Sequence, residues 1–155
     1  MKKLKGINVL ATLLIAGTAL LAGSVSALAG DMTAPGVEFK AAYGSSQDCL
    51  SVLSYGGIQN TCSYRVTVVA WAPVASTGNY GTEVQVYGNN TWCQSMTING
   101  VGNASHLGSQ VWTSAGPDAW KVLNTGTRYQ WDDMGILFRC GLDAGERIGR
   151  ATTSW

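Results

Sequence analysis

The sequence predicts an all-β protein, a small antiparallel β-sandwich of jelly-roll-like type with about eight strands and two disulfides, preceded by a signal peptide helix. Short segments that alternate apolar and polar residues, or are rich in β-branched residues, are separated by Gly and Asn turns. No window shows a sustained helical period. Four cysteines follow an export-type leader. A closed barrel is the second architecture that this strand spacing allows.

The N-terminal segment, residues 1–29, has the three parts of a signal peptide. A basic start, Lys2–Lys5, precedes an apolar run over residues 9–22, and Ala27-Leu28-Ala29 supplies the small-x-small cleavage signal. An uncleaved membrane anchor is the alternative, because the apolar stretch approaches the ~20 residues that span a bilayer. The cleavage signal favours a secreted protein, extracellular or periplasmic, with no membrane contact after processing.

The charge balance changes when the leader is set aside. The full chain of 155 residues has a formal net charge of +1 and only 12% charged residues. Three of its ten basic residues and none of its nine acids lie in the leader, so the remainder carries a net charge of −2. A mildly acidic, charge-poor chain is not expected to bind nucleic acid through a broad basic surface.

After the leader, residues 30–36 are assigned to a short N-terminal extension and residues 37–155 to a single β-sandwich domain. Tyr64–Trp71 is β-branched and nearly continuous, which indicates a central strand. Gly88-Asn89-Asn90 and Asn99-Gly100 are turn signals. The predicted strands cover residues 37–43, 64–71, 82–87, 91–98, 110–113, 120–123, 135–141 and 146–153.

Four cysteines, an even number in an exported chain, predict structural disulfides. Three connectivities are possible. We favour Cys49–Cys62, which brackets a short turn-rich segment, and Cys93–Cys140, which would join neighbouring strands or facing sheets. Zinc ligation is the alternative, but the chain has no CxxC pair and only His106 could join the cysteines. No metal and no cofactor are therefore expected.

A set of short motifs occurs in a characteristic order over roughly residues 49–150: an early cysteine, YGGIQN, RVTVVAWAP, VQVYGNNT with a cysteine just after it, and FRCGLDAGERIGRA. In this order, and behind a leader, the chain resembles uncharacterised small secreted bacterial proteins that are expected to be disulfide-bonded β-sandwiches. The resemblance implies the same fold here. It implies no activity.

Catalytic patterns are scarce, which predicts that the protein is not an enzyme. His106 is the sole histidine, and no GxSxG elbow accompanies it. Asp132-Asp133 is the one acidic pair, and adjacent carboxylates on a strand would point to opposite faces. Asp143, Glu146, Arg147 and Arg150 are expected to form exposed cross-strand pairs.

Aromatic residues are the surplus that could carry a function. Six tryptophans and six tyrosines all follow the leader. Trp71 and Trp92 lie in strand settings and are expected in the core. Exposed rings could stack on the apolar faces of sugars, and the candidate binding residues flank predicted loops: Trp112, Trp120, Tyr129, Trp131 and Asp132.

These features predict a secreted, non-catalytic protein that acts by surface recognition. The expected partner is a carbohydrate, a cell-envelope component or another extracellular macromolecule. The alternative is a small secreted hydrolase, or a hydrolase inhibitor that presents a loop braced by Cys49–Cys62.

Overall fold

The computed structural model describes residues 31–155, apart from residues 73, 100, 132 and 133 and the side chain of residue 134. The predicted signal peptide lies outside the described residues and stays a prediction. Short 3-10 helices cover Gly36–Glu38 and Gly44–Cys49. The described part contains twelve strands: β1 (Asp31–Pro35), β2 (Lys40–Ala41), β3 (Leu50–Val52), β4 (Ile58–Asn60), β5 (Val66–Trp71), β6 (Gly78–Tyr87), β7 (Trp92–Asn99), β8 (Ala104–Leu107), β9 (Val111–Trp112), β10 (Trp120–Gln130), β11 (Met134–Leu142) and β12 (Arg147–Ser154).

The strands form two antiparallel sheets of six strands each, which confirms the predicted all-β sandwich. The first sheet has the order β10-β6-β12-β4-β3, and β1 pairs with β12. The second sheet has the order β2-β5-β11-β7-β8, and β9 pairs with the start of β7. No helix in the described part of the chain is long and apolar enough to cross a membrane.

Several short strands are not evident from the sequence, and the N-terminal segment belongs to the first sheet rather than to an extension. Residues 31–35, assigned to an extension, form β1 and pair with β12 from Asp31 opposite Ser154 to Pro35 opposite Arg150. The segment has no alternating pattern to predict this, because only Ala34 of β1 is buried. The predicted strand 37–43 is reduced to the two residues of β2. A 3-10 turn interrupts it, in which the Phe39 N–H donates to the Gly36 carbonyl.

The core lies between the sheets and is built from the inward-pointing residues, which alternate with outward-pointing ones along each strand. In β5 the buried residues are Val66, Val68 and Ala70, so the next residue, Trp71, points outward and is 61% exposed. The expectation that Trp71 belongs to the core is therefore wrong. Trp92 is buried as expected, but it packs over Gly141 on the outer face of the second sheet.

Both predicted disulfides are present. Cys93 and Cys140 are register partners on β7 and β11, so their bridge joins neighbouring strands of the second sheet. Cys49–Cys62 closes the hairpin of β3 and β4. The disulfides thus brace different sheets.

A buried hydroxyl cluster joins the two sheets. The Oγ1 of Thr82 on β6 lies 2.8 Å from the Oγ of Ser95 on β7 and 2.8 Å from the Oγ1 of Thr125 on β10. All three residues are buried. Because the hydroxyls bond to one another, the core can bury polar groups without leaving these oxygens unpaired.

Candidate functional site

An aromatic groove of about 330 Å³ lies on the outer face of the first sheet. The ring of Trp120 forms its centre and remains 42% exposed. Tyr55 meets this ring edge-on, with centroids 5.8 Å apart, and Tyr87 does so at 5.6 Å. We call this feature the aromatic groove and define it by its lining residues Tyr55, Gln85, Trp120, Gly149 and Arg150.

Strand alternation places three elements of the groove on one face. Val84 and Val86 of β6 point into the core, so Gln85 and Tyr87 point outward. Trp120 at the start of β10 lies opposite Tyr87 in the register. Arg147 of β12 lies opposite Tyr87 on the other side, with its guanidinium 5.0 Å from the Tyr87 ring centroid. A row of aromatic and cationic side chains therefore crosses the sheet.

A β-bulge at Gly149 completes the floor of the groove. The pairing of β12 with β6 shifts between Ile148 and Arg150, which leaves Gly149 as the extra residue. A Cβ at this position would lie 3.0 Å from Trp120 Cζ3 and 3.1 Å from Gln85 Oε1. The missing side chain lets the indole and the amide approach the backbone closely.

Tyr55 comes from the turn between β3 and β4, inside the loop closed by Cys49–Cys62. The Gly56 N–H donates to the Leu53 carbonyl at 2.9 Å, and Gly56 has a φ of 82°, which an L side chain rarely adopts. The turn is anchored further by the Val37 N–H, which donates to the Gly56 carbonyl at 2.8 Å. A covalently braced hairpin thus holds one wall of the groove.

A polar cleft of about 510 Å³ adjoins the groove at Tyr87 and Arg147. Glu146 lies beneath it, is 7% exposed, and accepts hydrogen bonds from the Asn90 N–H, the Thr91 hydroxyl and the Asp143 N–H at 2.7–2.8 Å. The expectation that Glu146 forms an exposed cross-strand pair is wrong. Its carboxylate turns inward because three donors converge there from two loops.

Asp143 carries the ion pair of the same loop. Arg65 donates to Asp143 Oδ1 from Nε at 2.6 Å and to Oδ2 from Nη2 at 3.0 Å, and the Asn90 amide also donates to Oδ2. The Arg65 hydrogen bond, helped by the Asn90 amide and the charge of Arg65, lowers the pKa of Asp143, while partial burial opposes the shift. Asp143 is thus held in its charged form.

Asp143→Asn is expected to lower the free energy of unfolding by about 0.2–1 kcal/mol at neutral pH, the usual range for an exposed ion pair. Because folding lowers the pKa of Asp143, its contribution is complete above the unfolded-state pKa of about 3.9 and is lost as the pH falls through the lower folded-state value. Urea titrations of both proteins at pH 7 and at about pH 2.5 measure this. A difference that does not shrink in acid would contradict the assignment.

The four candidate binding residues that the structure describes do not form one cluster. Trp120 lies in the aromatic groove. Trp112 lies on the outer face of the second sheet, 6.4 Å from Trp92 between ring centroids and beneath the Arg65 guanidinium. Tyr129 and Trp131 lie at the C-terminal end of β10, away from both of these sites, with their ring centroids 4.6 Å apart. Asp132 lies outside the described residues.

The partners of Trp120 are not evident from the sequence. Tyr55 lies in a turn whose position depends on a disulfide-closed hairpin. The direction of the Arg150 side chain depends on a bulge. The signal that existed was the alternation of residues 82–87, which already separates Gln85 and Tyr87 from the core positions Val84 and Val86.

His106 does not assemble a Ser-His-acid site in the described part of the chain. Its Nδ1 lies 3.4 Å from the neighbouring Ser105 Oγ, and its ring stacks on Trp131 at 5.4 Å. No carboxylate among the described residues bonds to the imidazole, and no group of three or more potential metal ligands occurs there. The Cys49–Cys62 loop suggested for an inhibitor packs its Tyr55 against Trp120.

No protein-family model and no curated protein sequence matches this chain. Among solved structures, the chain is similar to the C-terminal family 6 carbohydrate-binding module of a marine laminarinase from Zobellia galactanivorans, with a TM-score of 0.54, 13% identity, and coverage of 81% of this chain and 100% of that one. It is also similar to a family 35 carbohydrate-binding module from Clostridium thermocellum, with a TM-score of 0.54, 9% identity, and coverage of 80% and 97%.

A third similar structure is a low-affinity xylan-binding module of family 86 from Roseburia intestinalis, with a TM-score of 0.50, 12% identity, and coverage of 81% and 95%. The chain therefore has the β-sandwich fold found in carbohydrate-binding modules. Within that fold class it is a twelve-stranded form, counted over the described residues, with one disulfide in the second sheet and another around the β3–β4 hairpin.

Proposed function

We propose that this protein is a secreted, non-catalytic carbohydrate-binding protein whose ligand lies in the aromatic groove. The observation that carries the proposal is the exposed indole of Trp120, which is 42% exposed, contacted by Tyr55 and Tyr87 in T-shaped geometry, and bordered by polar groups of Gln85 and Arg150. An aromatic ring offers an apolar platform to the CH face of a sugar, and nearby polar groups fix its orientation. The carbohydrate-binding modules of the same fold support this use.

Secretion is supported by two independent features. The predicted signal peptide spans residues 1–29. The protein has two disulfides, and disulfide bonds persist in oxidising compartments such as the periplasm or the extracellular medium. A protein in these compartments meets extracellular polysaccharides and cell-envelope glycans, which are therefore the proposed ligands.

Trp120→Ala is expected to weaken polysaccharide binding about tenfold or more, because a tryptophan at the centre of an interface commonly contributes over 1.4 kcal/mol. Isothermal titration against a panel of soluble polysaccharides measures the Kd. Circular dichroism of the variant confirms that the sandwich is intact.

Trp112→Ala is the matched control, since Trp112 is a similarly exposed tryptophan on the opposite sheet. It is expected to keep wild-type affinity. Undiminished binding by Trp120→Ala, or absence of binding by the wild-type protein across the panel, would overturn the proposal.

A further inference from the structure

We propose that the aromatic groove selects anionic glycans, and that Arg150 binds an acidic group of the sugar that stacks on Trp120. This inference rests on the proposed function and names the ligand class for the same groove. It depends on how β12 presents Arg150, on its guanidinium having no partner among the described residues, and on the chemistry of a guanidinium beside aromatic rings.

The bulge at Gly149 turns Arg150 onto the groove face. In a regular strand, Arg147 and Gly149 would share one face, and Ile148 and Arg150 the other. The shifted register instead places Arg150 opposite the outward Gln85 and Ala151 opposite the buried Val84. One inserted residue therefore brings a cation onto the face that carries Trp120, which is a known use of bulges beside binding sites.

Among the described residues, the guanidinium of Arg150 has no hydrogen-bond or ion-pair partner. Other arginines are engaged: Arg65 pairs with Asp143, and Arg128 donates to the backbone carbonyls of Ser95 and Thr125. In the part of the chain that the structure describes, the Arg150 side chain forms neither a hydrogen bond nor an ion pair. Glu83 lies one outward position further along β6, and no ion pair joins it to Arg150.

Arg147, a second cation beside the groove, also has a guanidinium donor without a partner among the described residues. Arg147 lies across Tyr87 from Trp120, and its Nε is buried with no hydrogen-bond partner among the described residues. A buried donor without an acceptor costs free energy until an acceptor arrives. Arg147 and Arg150 project from the same face of β12, so both favour an anion on this face of the sheet.

The chemistry of the arginines matches an acidic sugar. A guanidinium presents a planar fork of donors that bonds a carboxylate or a sulfate through two parallel hydrogen bonds. Such charge-assisted bonds are stronger than bonds between neutral groups. A neutral sugar on Trp120 would displace water from Arg150 without supplying an anion, so the same ring platform binds it less tightly. The acidic group could be a uronate carboxylate or a sulfate ester.

The test compares ligands that differ only in charge. A uronate oligosaccharide is titrated against its carboxyl-reduced counterpart, and a sulfated galactan against its desulfated product, by isothermal titration in low salt. Wild-type protein is expected to bind at least one acidic ligand about tenfold or more tightly than its neutral counterpart. The pair that shows the preference identifies a carboxylate or a sulfate as the acidic group.

Arg150→Gln is expected to remove most of that preference and to retain binding of the neutral counterpart. The matched control is Lys40→Gln, which removes the same charge from an exposed strand residue of the second sheet. It is expected to keep the preference. Addition of 0.5 M NaCl, about the concentration at which charges a few ångströms apart are screened, is expected to reduce the preference of the wild-type protein.

The outcomes separate this inference from the proposed function. Equal affinity for acidic and neutral ligands, both weakened by Trp120→Ala, would overturn anionic selection and leave carbohydrate binding supported. An equal loss of preference in Lys40→Gln and Arg150→Gln would assign the preference to net charge and overturn the role of Arg150. Absence of binding to every ligand would overturn both proposals.

Discussion

Replacement of Cys93 and Cys140 together by alanine is expected to lower the free energy of unfolding by about 4 kcal/mol. The bridge spans 47 residues of sequence, and a cross-link of that length removes substantial loop entropy from the unfolded chain. Both cysteines are fully buried in the second sheet, so the double variant also leaves a small cavity. Urea unfolding, with the midpoint and slope fitted together, measures the change.

The second disulfide provides the comparison. Removal of Cys49–Cys62, which spans only 13 residues, is expected to cost about 3 kcal/mol in the same model. The two double variants should differ in function, because the hairpin that Cys49–Cys62 closes carries Tyr55 of the aromatic groove. Ligand binding should weaken in the Cys49/Cys62 variant and persist in the Cys93/Cys140 variant. Equal stability of all three proteins would contradict the assigned roles.

Glu146→Ala is expected to lower the free energy of unfolding by about 2–4 kcal/mol. The substitution leaves the buried Thr91 hydroxyl and the partly buried Asn90 and Asp143 N–H groups without their acceptor, and a buried donor that loses its partner is costly. Gly88, with a φ of 140°, lies directly against the Glu146 carboxylate, which indicates that the loop is built around this group. Thermal and urea unfolding measure the loss.

Asp118→Asn is the control for this effect. Asp118 lines the same polar cleft but is exposed, so its loss of charge should change stability by no more than about 0.5 kcal/mol. A similar loss in both variants would assign the effect to the charge of the cleft. A loss of under 0.5 kcal/mol in Glu146→Ala would show that water replaces the carboxylate as acceptor.

The class of fold and the disulfides could be predicted because they depend on short-range patterns. Alternation in residues 82–87 and the β-branched run before Trp71 identify strands from side-chain period alone. Cys49 and Cys62 bracket a turn-rich segment, and that spacing favoured the pair that the structure contains. Patterns of this kind hold whatever the rest of the chain does.

Short strands that lack an alternating apolar pattern could not be predicted from the sequence. β1 and β8 have almost no buried residues, and they form because the edges of β12 and β7 offer unpaired backbone groups. Glu146 shows the same limit for a side chain. A carboxylate in a charged segment normally faces solvent, and only the convergence of donors from two loops made burial favourable here.

The sequence alone therefore determined a charge-poor β-sandwich with two disulfides, since strand period and cysteine spacing are local properties. It also identified the tryptophans as the residues to explain, but it could not say which of them act together. The tertiary structure decided that, because register places Trp120 beside Tyr87, a braced hairpin brings Tyr55 to the same ring, and one extra residue at Gly149 turns Arg150 toward them. Contacts between residues far apart in sequence depend on register and bulges, and a one-residue shift in a strand reverses every side chain that follows.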